Sequence, residues 1–329
     1  MQQPNKITFL RIIFFFSLFF DILKSCDTIS SPEKEISAIP VNIKIDRFDR
    51  KFYQGEAESI PELKRTYPYL FPNQYSDSIW IKRQKDSLQL LLQNAIETTF
   101  PSLEFLEKEL NHLFQHLKYH FPETKIPHTI SLTNNVDYQI KTVYSDSLLF
   151  LSLDTFLGSN HPLYEGIPLY IRNDMNIADL PSQVVDKFSD YYISTSLDRT
   201  FLGQMLFYGK KMYLQDLVLP DLNEGLRIGY TLDEVAWAKE NERYIWQYFI
   251  EKELLYSTDM SLSERFINPA PFSKFYMEID NESPGGIGRW MGFQIVKAYV
   301  KQNPKTSIKD LLRLPAQVLF SESKYKPKR

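Results

Sequence analysis

The spacing of apolar and polar residues predicts strands in the first half of the chain. Apolar and polar residues alternate over residues 41–48, as is typical of a half-buried strand. Three more strand-like runs follow one another closely, at residues 127–133, 136–144 and 148–154. Asn134-Asn135 and Ser145-Asp146 are suitable turn residues between these runs, which favours a small antiparallel sheet.

Helical spacing dominates the rest of the chain and predicts five long helices. Residues 231–256 begin with Thr-x-x-Glu, a capping box formed by Thr231 and Glu234. Residues 283–302 begin with Ser-Pro, which predicts Ser283 as N-cap and Pro284 at the first helical position. The other predicted helices cover residues 76–99, 102–121 and 198–219.

Three glycines in the last of these helices, Gly285, Gly288 and Gly292, lie on nearly one face. Glycine inside a helix costs about 1 kcal/mol relative to alanine. The pattern therefore indicates close backbone packing against a neighbouring helix, with a ligand approaching that face as the alternative.

The order of these elements predicts an α+β fold. A small antiparallel sheet with flanking helices occupies about residues 40–160, and a mainly helical lobe follows over about residues 161–329. Because no internal linker is evident, residues 40–329 are expected to form a single domain.

The N-terminus is typical of an exported, lipid-anchored protein. Lys6 and Arg11 precede a short apolar run that ends at Asp21, which predicts a signal peptide over residues 1–25. The Leu-Lys-Ser-Cys sequence that ends at Cys26 resembles a bacterial lipobox, so Cys26 is the predicted lipidation site. Residues 26–39 then form the lipidated cysteine and a tether that holds the body at a membrane surface. The alternative is a plain signal peptide, or an uncleaved anchor, with an incidental cysteine.

Composition excludes several other classes. The 329 residues are 43% hydrophobic and carry a net charge of −3, so the chain has neither a disordered composition nor the basic footprint of a nucleic-acid partner. Cys26 is the only cysteine, which excludes an intramolecular disulfide and a cysteine-built metal cluster.

Candidate sites for chemistry are weak. His112, His116 and His120 are spaced four residues apart on one helix, but Leu113 stands where a zincin has its glutamate, so the stripe is interpreted as solvated or partner-facing. The acidic stretch at residues 278–282 is interpreted as helix-capping rather than cation-binding, and the aromatic residues as core rather than a glycan-binding groove. We therefore predict no catalytic, cofactor-binding or metal-ligating residues.

Several blocks of the second half resemble the gliding motility-associated lipoprotein family GldB. The blocks are YGKKMYLQDLVLPD at residues 208–221, IGYT at 228–231, ELLYSTD at 253–259, FINPAPFSKF at 266–275 and DNESPG at 280–285. The resemblance implies a lipid-anchored envelope protein that faces the periplasm and supports gliding and the linked type IX secretion apparatus. Its implied partners are other gliding or secretion envelope proteins.

The same region is distantly similar to metallopeptidases of the gluzincin kind. Tyr208 stands where the third zinc ligand would be, and the helix that should carry the zinc-binding histidines reads VVDKFSD at residues 184–190. The similarity implies a degenerate zincin-like fold that has lost its ligands, and hence a non-catalytic protein. The alternative is a zinc-dependent peptidase with unusual ligands drawn from His112, His116, Asp186 or Glu282.

Overall fold

The computed structural model describes residues 32–193 and 198–327, and the chain divides into two units at Pro40. The described part of the first unit contains one short helix, α1 (Pro32–Ser37). The second unit, Val41–Arg329, contains the remaining elements. The predicted signal peptide and Cys26 lie outside the described residues, so both stay predictions.

The second unit is α+β, as predicted. Its strands are short and all lie in the first half of the chain: β1 (Ile45–Asp46), β2 (His128–Leu132), β3 (Thr142–Tyr144) and β4 (Leu148–Ser152). Its helices are α2 (Phe48–Tyr53), α3 (Ile60–Thr66), α4 (Asp77–Gln84), α5 (Ser87–Thr99), α6 (Glu104–His120), α7 (Leu169–Arg172), α8 (Leu180–Ser189), α9 (Phe201–Val218), α10 (Leu232–Glu251), α11 (Ser261–Phe266), α12 (Ile287–Gln302), α13 (Ile308–Arg313) and α14 (Ala316–Ser323).

The sheet is mixed, so the prediction of an antiparallel sheet is wrong for two of its strand pairs. The strand order is β1-β2-β4-β3, with β1 parallel to β2, β2 parallel to β4, and only β3 and β4 antiparallel. The long helical connection from β1 to β2 permits a parallel pair. Strands β3 and β4 form a hairpin in which β3 is the outer strand and β4 lies between β3 and β2.

Two predicted strands are shorter than expected because side chains take over their backbone hydrogen bonds. In the 41–48 run, the amide of Ile43 donates to Asn111 Oδ1 (2.7 Å) and that of Ile45 donates to Glu107 Oε1 (2.9 Å). At the start of the 136–144 run and in the turn before it, the buried carboxylate of Asp154 accepts the amides of Val136 (2.8 Å) and Asn134 (3.1 Å). This holds residues 134–136 in a loop, and burial raises the pKa of Asp154 to about 6.

Helix ends show the same mixture of confirmed and corrected predictions. The capping box is present, because Thr231 Oγ1 accepts the amide of Glu234 (3.2 Å) and Glu234 Oε2 accepts that of Thr231 (2.7 Å). The predicted helix over 76–99 is instead two helices, since Asp86 caps α5 by accepting the amide of Leu88 (3.0 Å).

Helix α12 begins at Ile287, so Ser283 is not its N-cap. The Ser283 hydroxyl instead accepts the amide of Ser273 (3.2 Å) and donates to the carbonyl of Ser273 (2.9 Å). Gly286 forms the N-cap with a φ of +68°, a left-handed conformation that glycine tolerates.

The predicted close packing is confirmed at Gly288 and Gly292, whereas Gly285 precedes α12 and instead lies against the backbone of Ala270. A side chain added at Gly292 would collide with the carbonyl of Met205, and one at Gly209 would collide with the carbonyl group of Gly292. A side chain at Gly288 would come within 2.8 Å of the carbonyl of Phe266. Helices α9 and α12 therefore cross with their backbones in contact.

Helix α9 contributes to two hydrophobic cores. Its C-terminal part, with Leu214 and Val218, packs in the core that includes α6 and one face of the sheet. Its N-terminal part, with Phe201 and Met205, packs in the core of the helical lobe. The largest buried rings, such as Trp290, lie in these cores, as the interpretation of the aromatic residues as core material requires.

Candidate functional site

The outer edge of the sheet, strand β3, is the first component of the candidate site. Within it Thr142 is 2% exposed, whereas Val143 is 43% exposed. On either side of β3, the Ser152 amide donates to the Lys141 carbonyl (3.0 Å) and the Ser145 amide donates to the Leu148 carbonyl (2.8 Å). In an antiparallel ladder, hydrogen-bonded residue pairs alternate with pairs that are not hydrogen-bonded. Val143 and Phe150 form a hydrogen-bonded pair, so the amides and carbonyls of Thr142 and Tyr144 point away from β4. Among the described residues, the amides of Thr142 and Tyr144 and the carbonyl of Thr142 have no hydrogen-bond partner.

These outward groups lie beside a groove of 400 Å³. Its sheet side is formed by residues 139–144 without Lys141, and its other side by Lys187, Asp190 and Tyr191 at the end of α8. The fourth outward group, the Tyr144 carbonyl, accepts a weak hydrogen bond from the Tyr191 hydroxyl (3.3 Å). We name this surface the β3 groove.

A buried lysine of α9 lies behind the α8 side of the groove. Lys211 Nζ is 3.1 Å from Asp186 Oδ1 and 2.6 Å from Asp190 Oδ1, and its side chain is only 7% exposed. Burial alone would lower the pKa of Lys211, but the attraction of Asp186 and the hydrogen bond to Asp190 outweigh it and raise that pKa. The two carboxylates, one helical turn apart at the C-terminal end of α8, thus share the ammonium of Lys211, and Lys187 Nζ lies 4.0 Å from Asp186 Oδ2.

The residues suggested by the metallopeptidase likeness do not come together. Asp186 belongs to the Lys211 ion cluster, whereas the Tyr208 ring lies under the guanidinium of Arg289, 4.3 Å from its Cζ. The ring that lies beside the ammonium of Lys211 is that of Phe207, whose centroid is 5.1 Å from Lys211 Nζ. Sequence reasoning missed Lys211 and Asp190; the available signal was a pair of lysines inside a mostly apolar helix.

The histidine stripe of α6 is not uniformly solvated. His116 is 3% exposed, and its Nε2 lies 3.3 Å from Nε2 of His112. The solvated interpretation is therefore wrong at His116, because that face of α6 packs inward. Burial, and then repulsion from His116, lowers the pKa of His120. Within residues 41–193 and 198–327, neither Asp186 nor Glu282 lies close enough to these histidines to share a metal ion with them.

The acidic stretch at residues 278–282 forms a short 3₁₀ helix whose Asp280 caps a turn rather than α12. Asp280 Oδ1 accepts the amide of Phe275 (2.8 Å), and its Oδ2 accepts that of Tyr276 (2.9 Å). The helix-capping interpretation is therefore wrong, because Asp280 accepts amides of the preceding turn while Gly286 forms the N-cap of α12.

Comparison with known proteins adds the family. The family model of gliding motility protein GldB matches residues 30–327, whereas no curated protein and no solved structure matches the chain. The comparisons therefore give the metallopeptidase likeness no support. Within residues 32–193 and 198–327, no helix combines the length and apolarity needed to cross a membrane. Since the match covers most of its length, the chain belongs to the gliding motility protein GldB family, a lipoprotein family whose membership implies a membrane-anchored protein of the cell envelope.

Proposed function

We propose that this lipoprotein supports gliding motility, and the linked type IX secretion machinery, by binding an extended segment of another envelope protein in the β3 groove. Acyl chains on Cys26 would hold it at a membrane, facing the periplasm. The role is non-catalytic: the protein supplies a binding surface at a fixed distance from the membrane.

The unpaired backbone of β3 carries this proposal. Thr142 has one outward amide and one outward carbonyl, and Tyr144 has another outward amide in the same line. Thr142 is only 2% exposed, so an added strand must displace the side chains that cover this edge of the groove. An extended polypeptide repeats donors and acceptors at that spacing and can add to a sheet edge as a further strand. The weak hydroxyl contact of Tyr191 would yield the Tyr144 carbonyl to an incoming amide.

The side chains around the groove suit an extended partner. Ile140 and Val143 are exposed apolar residues beside the edge, and they can contact alternate side chains of an added strand. Lys187 at the rim is the exposed charged group of the opposite side, while the nearby Asp190 is already paired with Lys211. The partner segment is therefore expected to be apolar at alternate positions, with an acidic residue near Lys187.

The ion cluster supports the non-catalytic part of the proposal. Asp186 is one of the ligands that an unusual peptidase would need, and Lys211 already neutralises it. Direct metal analysis and a peptide-cleavage assay test this part. We expect no stoichiometric zinc and no cleavage, and zinc that is lost in Asp186→Asn or His116→Ala would overturn it.

Site-specific photocrosslinking in intact cells tests the groove. A photoreactive residue at Val143 should crosslink to one envelope protein, which is identified by mass spectrometry. The same crosslink should then form between the two purified proteins. The same residue at Leu232, which is exposed on α10 outside the groove, is the matched control. Absence of an adduct at Val143, or an adduct only with a second copy of this chain, would overturn the proposal.

A proline at Thr142 separates strand addition from ordinary surface contact. Thr142→Pro removes an amide that points away from β4, so the ladder between β3 and β4 keeps its hydrogen bonds. We expect at least a tenfold loss of crosslinked product, whereas Thr142→Val, which keeps the amide, should retain it. Ile140→Trp, which fills the groove from an exposed position, provides a second blocking variant should the proline disturb folding.

Metabolic labelling with an acyl-chain probe tests the anchor. Incorporation should occur in the wild type and disappear in Cys26→Ala, together with membrane association. Labelling that persists in Cys26→Ala would contradict lipidation at this residue.

A further inference from the structure

A second cavity, of 440 Å³, lies beside the N-terminal half of α9. Its wall is mainly apolar, with Leu206, Phe207, Met260, Ile267 and Leu314 among the lining residues. Gln204 and Ser263 also line it, but they hydrogen-bond to each other (2.5 Å). Asp198 and Lys210 are its charged lining residues.

Lys210 has an unusual environment for a buried lysine. The residue is 5% exposed, and its Nζ donates to the carbonyls of Leu312 (3.1 Å) and Leu314 (2.6 Å) at the end of α13. No carboxylate of the described residues lies within 4.0 Å of it. Lysine is rarely this buried without a counter-ion, because removing an ammonium from water is costly.

Lys210 and its hydrogen-bond partner Leu314 both line the cavity. Two of the three N–H groups of the Lys210 ammonium are used by carbonyls, which leaves one donor and the full positive charge. Burial lowers the pKa of Lys210 to about 8, so the side chain is still mostly protonated at neutral pH.

We propose that this cavity binds a single-chain amphiphile of the fatty-acid type, whose carboxylate pairs with the Lys210 ammonium while its alkyl chain lies against the apolar wall. Pockets for small molecules are typically apolar, of this size, and oriented by one or two polar groups. An anionic head supplies the counter-ion that the protein does not, and Asp198 disfavours any arrangement that places the head at its end of the cavity. This site is independent of the β3 groove.

Decanoate and decanol are the matched probes, because they share an alkyl chain and differ in charge. Binding of each, labelled with ¹³C at its first carbon, would be followed by NMR on the full-length protein in an uncharged detergent. We expect saturable binding of decanoate that weakens at least tenfold in Lys210→Met. Decanol binding should be equal in the two proteins, and Lys210→Arg should retain decanoate.

Two controls make the result decisive. Lys301→Met changes an exposed lysine of α12 in the same way and should leave decanoate binding unchanged. In the wild type, decanoate affinity should fall as the pH rises above about 8, where Lys210 loses its proton, whereas decanol affinity should stay constant. This pH series needs no variant, so it remains informative if Lys210→Met folds poorly.

The proposal would be overturned by any of three outcomes: no saturable binding of decanoate, equal decanoate binding by the wild type and Lys210→Met, or decanol binding as tight as decanoate binding. The variants Thr142→Pro and Ile140→Trp should bind decanoate normally. Loss of partner crosslinking with intact decanoate binding would therefore concern the β3 groove alone.

Discussion

Lys210 and Lys211 are neighbours on α9, yet their surroundings solve the burial of an ammonium group in opposite ways. Lys211 lies against the sheet-side core and has two carboxylates, Asp186 and Asp190. Lys210 lies against the helical lobe and has two carbonyls, those of Leu312 and Leu314. The first ammonium is neutralised inside the protein, whereas the second keeps its charge beside a cavity.

The difference shows what a largely buried helix demands of its polar residues. Helix α9 is enclosed because it packs into both cores and its backbone touches α12 at Gly209 and Gly292. A lysine on such a helix must reach a partner on whichever side it points to. A paired carboxylate raises the pKa of Lys211, while carbonyl partners leave burial to lower that of Lys210.

The largest effect is expected from opening the contact that encloses α9. Gly292→Val places a side chain against the carbonyl of Met205 and should lower the free energy of unfolding by about 3 kcal/mol. Chemical denaturation measures this, and Lys301→Val, at an exposed position of α12, controls for the helix propensity of valine. If Gly292→Val is no less stable than that control, the close contact between α9 and α12 is not what keeps Lys210 and Lys211 buried.

Removing the paired ammonium should be the next most damaging change. Lys211→Met leaves Asp190 without its cation and Asp186 with only the more distant Lys187 at 4.0 Å, and we expect a loss of about 2 kcal/mol at pH 7. The loss is smaller than for a fully buried pair because both carboxylates are partly exposed and can be hydrated. Asp190→Asn in the same background should recover part of the loss, and no recovery would contradict the pairing.

Lys210→Met should have the smallest effect at pH 7, about 1 kcal/mol or less. The variant leaves two carbonyls without their donor, but it also removes the cost of burying an uncompensated charge. Denaturation curves of the variant and the wild type at pH 7 give this difference directly. A loss as large as that of Lys211→Met would show that the two lysines are equivalent.

The pH dependence should distinguish the two lysines by sign. The pKa of Lys210 is lowered to about 8 in the folded protein, so the unfolded chain binds more protons between pH 8 and 10.5. The stability of the wild type relative to Lys210→Met should therefore rise over that range, by up to about 3 kcal/mol. The pKa of Lys211 is raised, so its contribution relative to Lys211→Met should stay constant until about pH 10.5 and be lost above it.

Local signals explain most of what could be predicted about the elements. The capping box of Thr231 and Glu234 involves residues three apart, so the sequence contains the whole interaction. Asp86 is an equally local cap, but it was hidden inside a continuous helical pattern that predicted one helix over residues 76–99. Ser283 failed as a predicted cap because the distant Ser273 backbone competes for its hydroxyl.

The sequence by itself determined the α+β class, the glycine-mediated contact of α12 and membership of the family, because composition, helical periodicity and long matching blocks are properties of the chain alone. Only the tertiary structure decided the mixed sheet, the free edge of β3 and the different partners of two adjacent lysines. Those features depend on which distant segments meet: Asp186 and Asp190 are contributed by α8, and Leu312 by the far end of the chain. No local pattern encodes such meetings, since they follow from the packing of the whole unit.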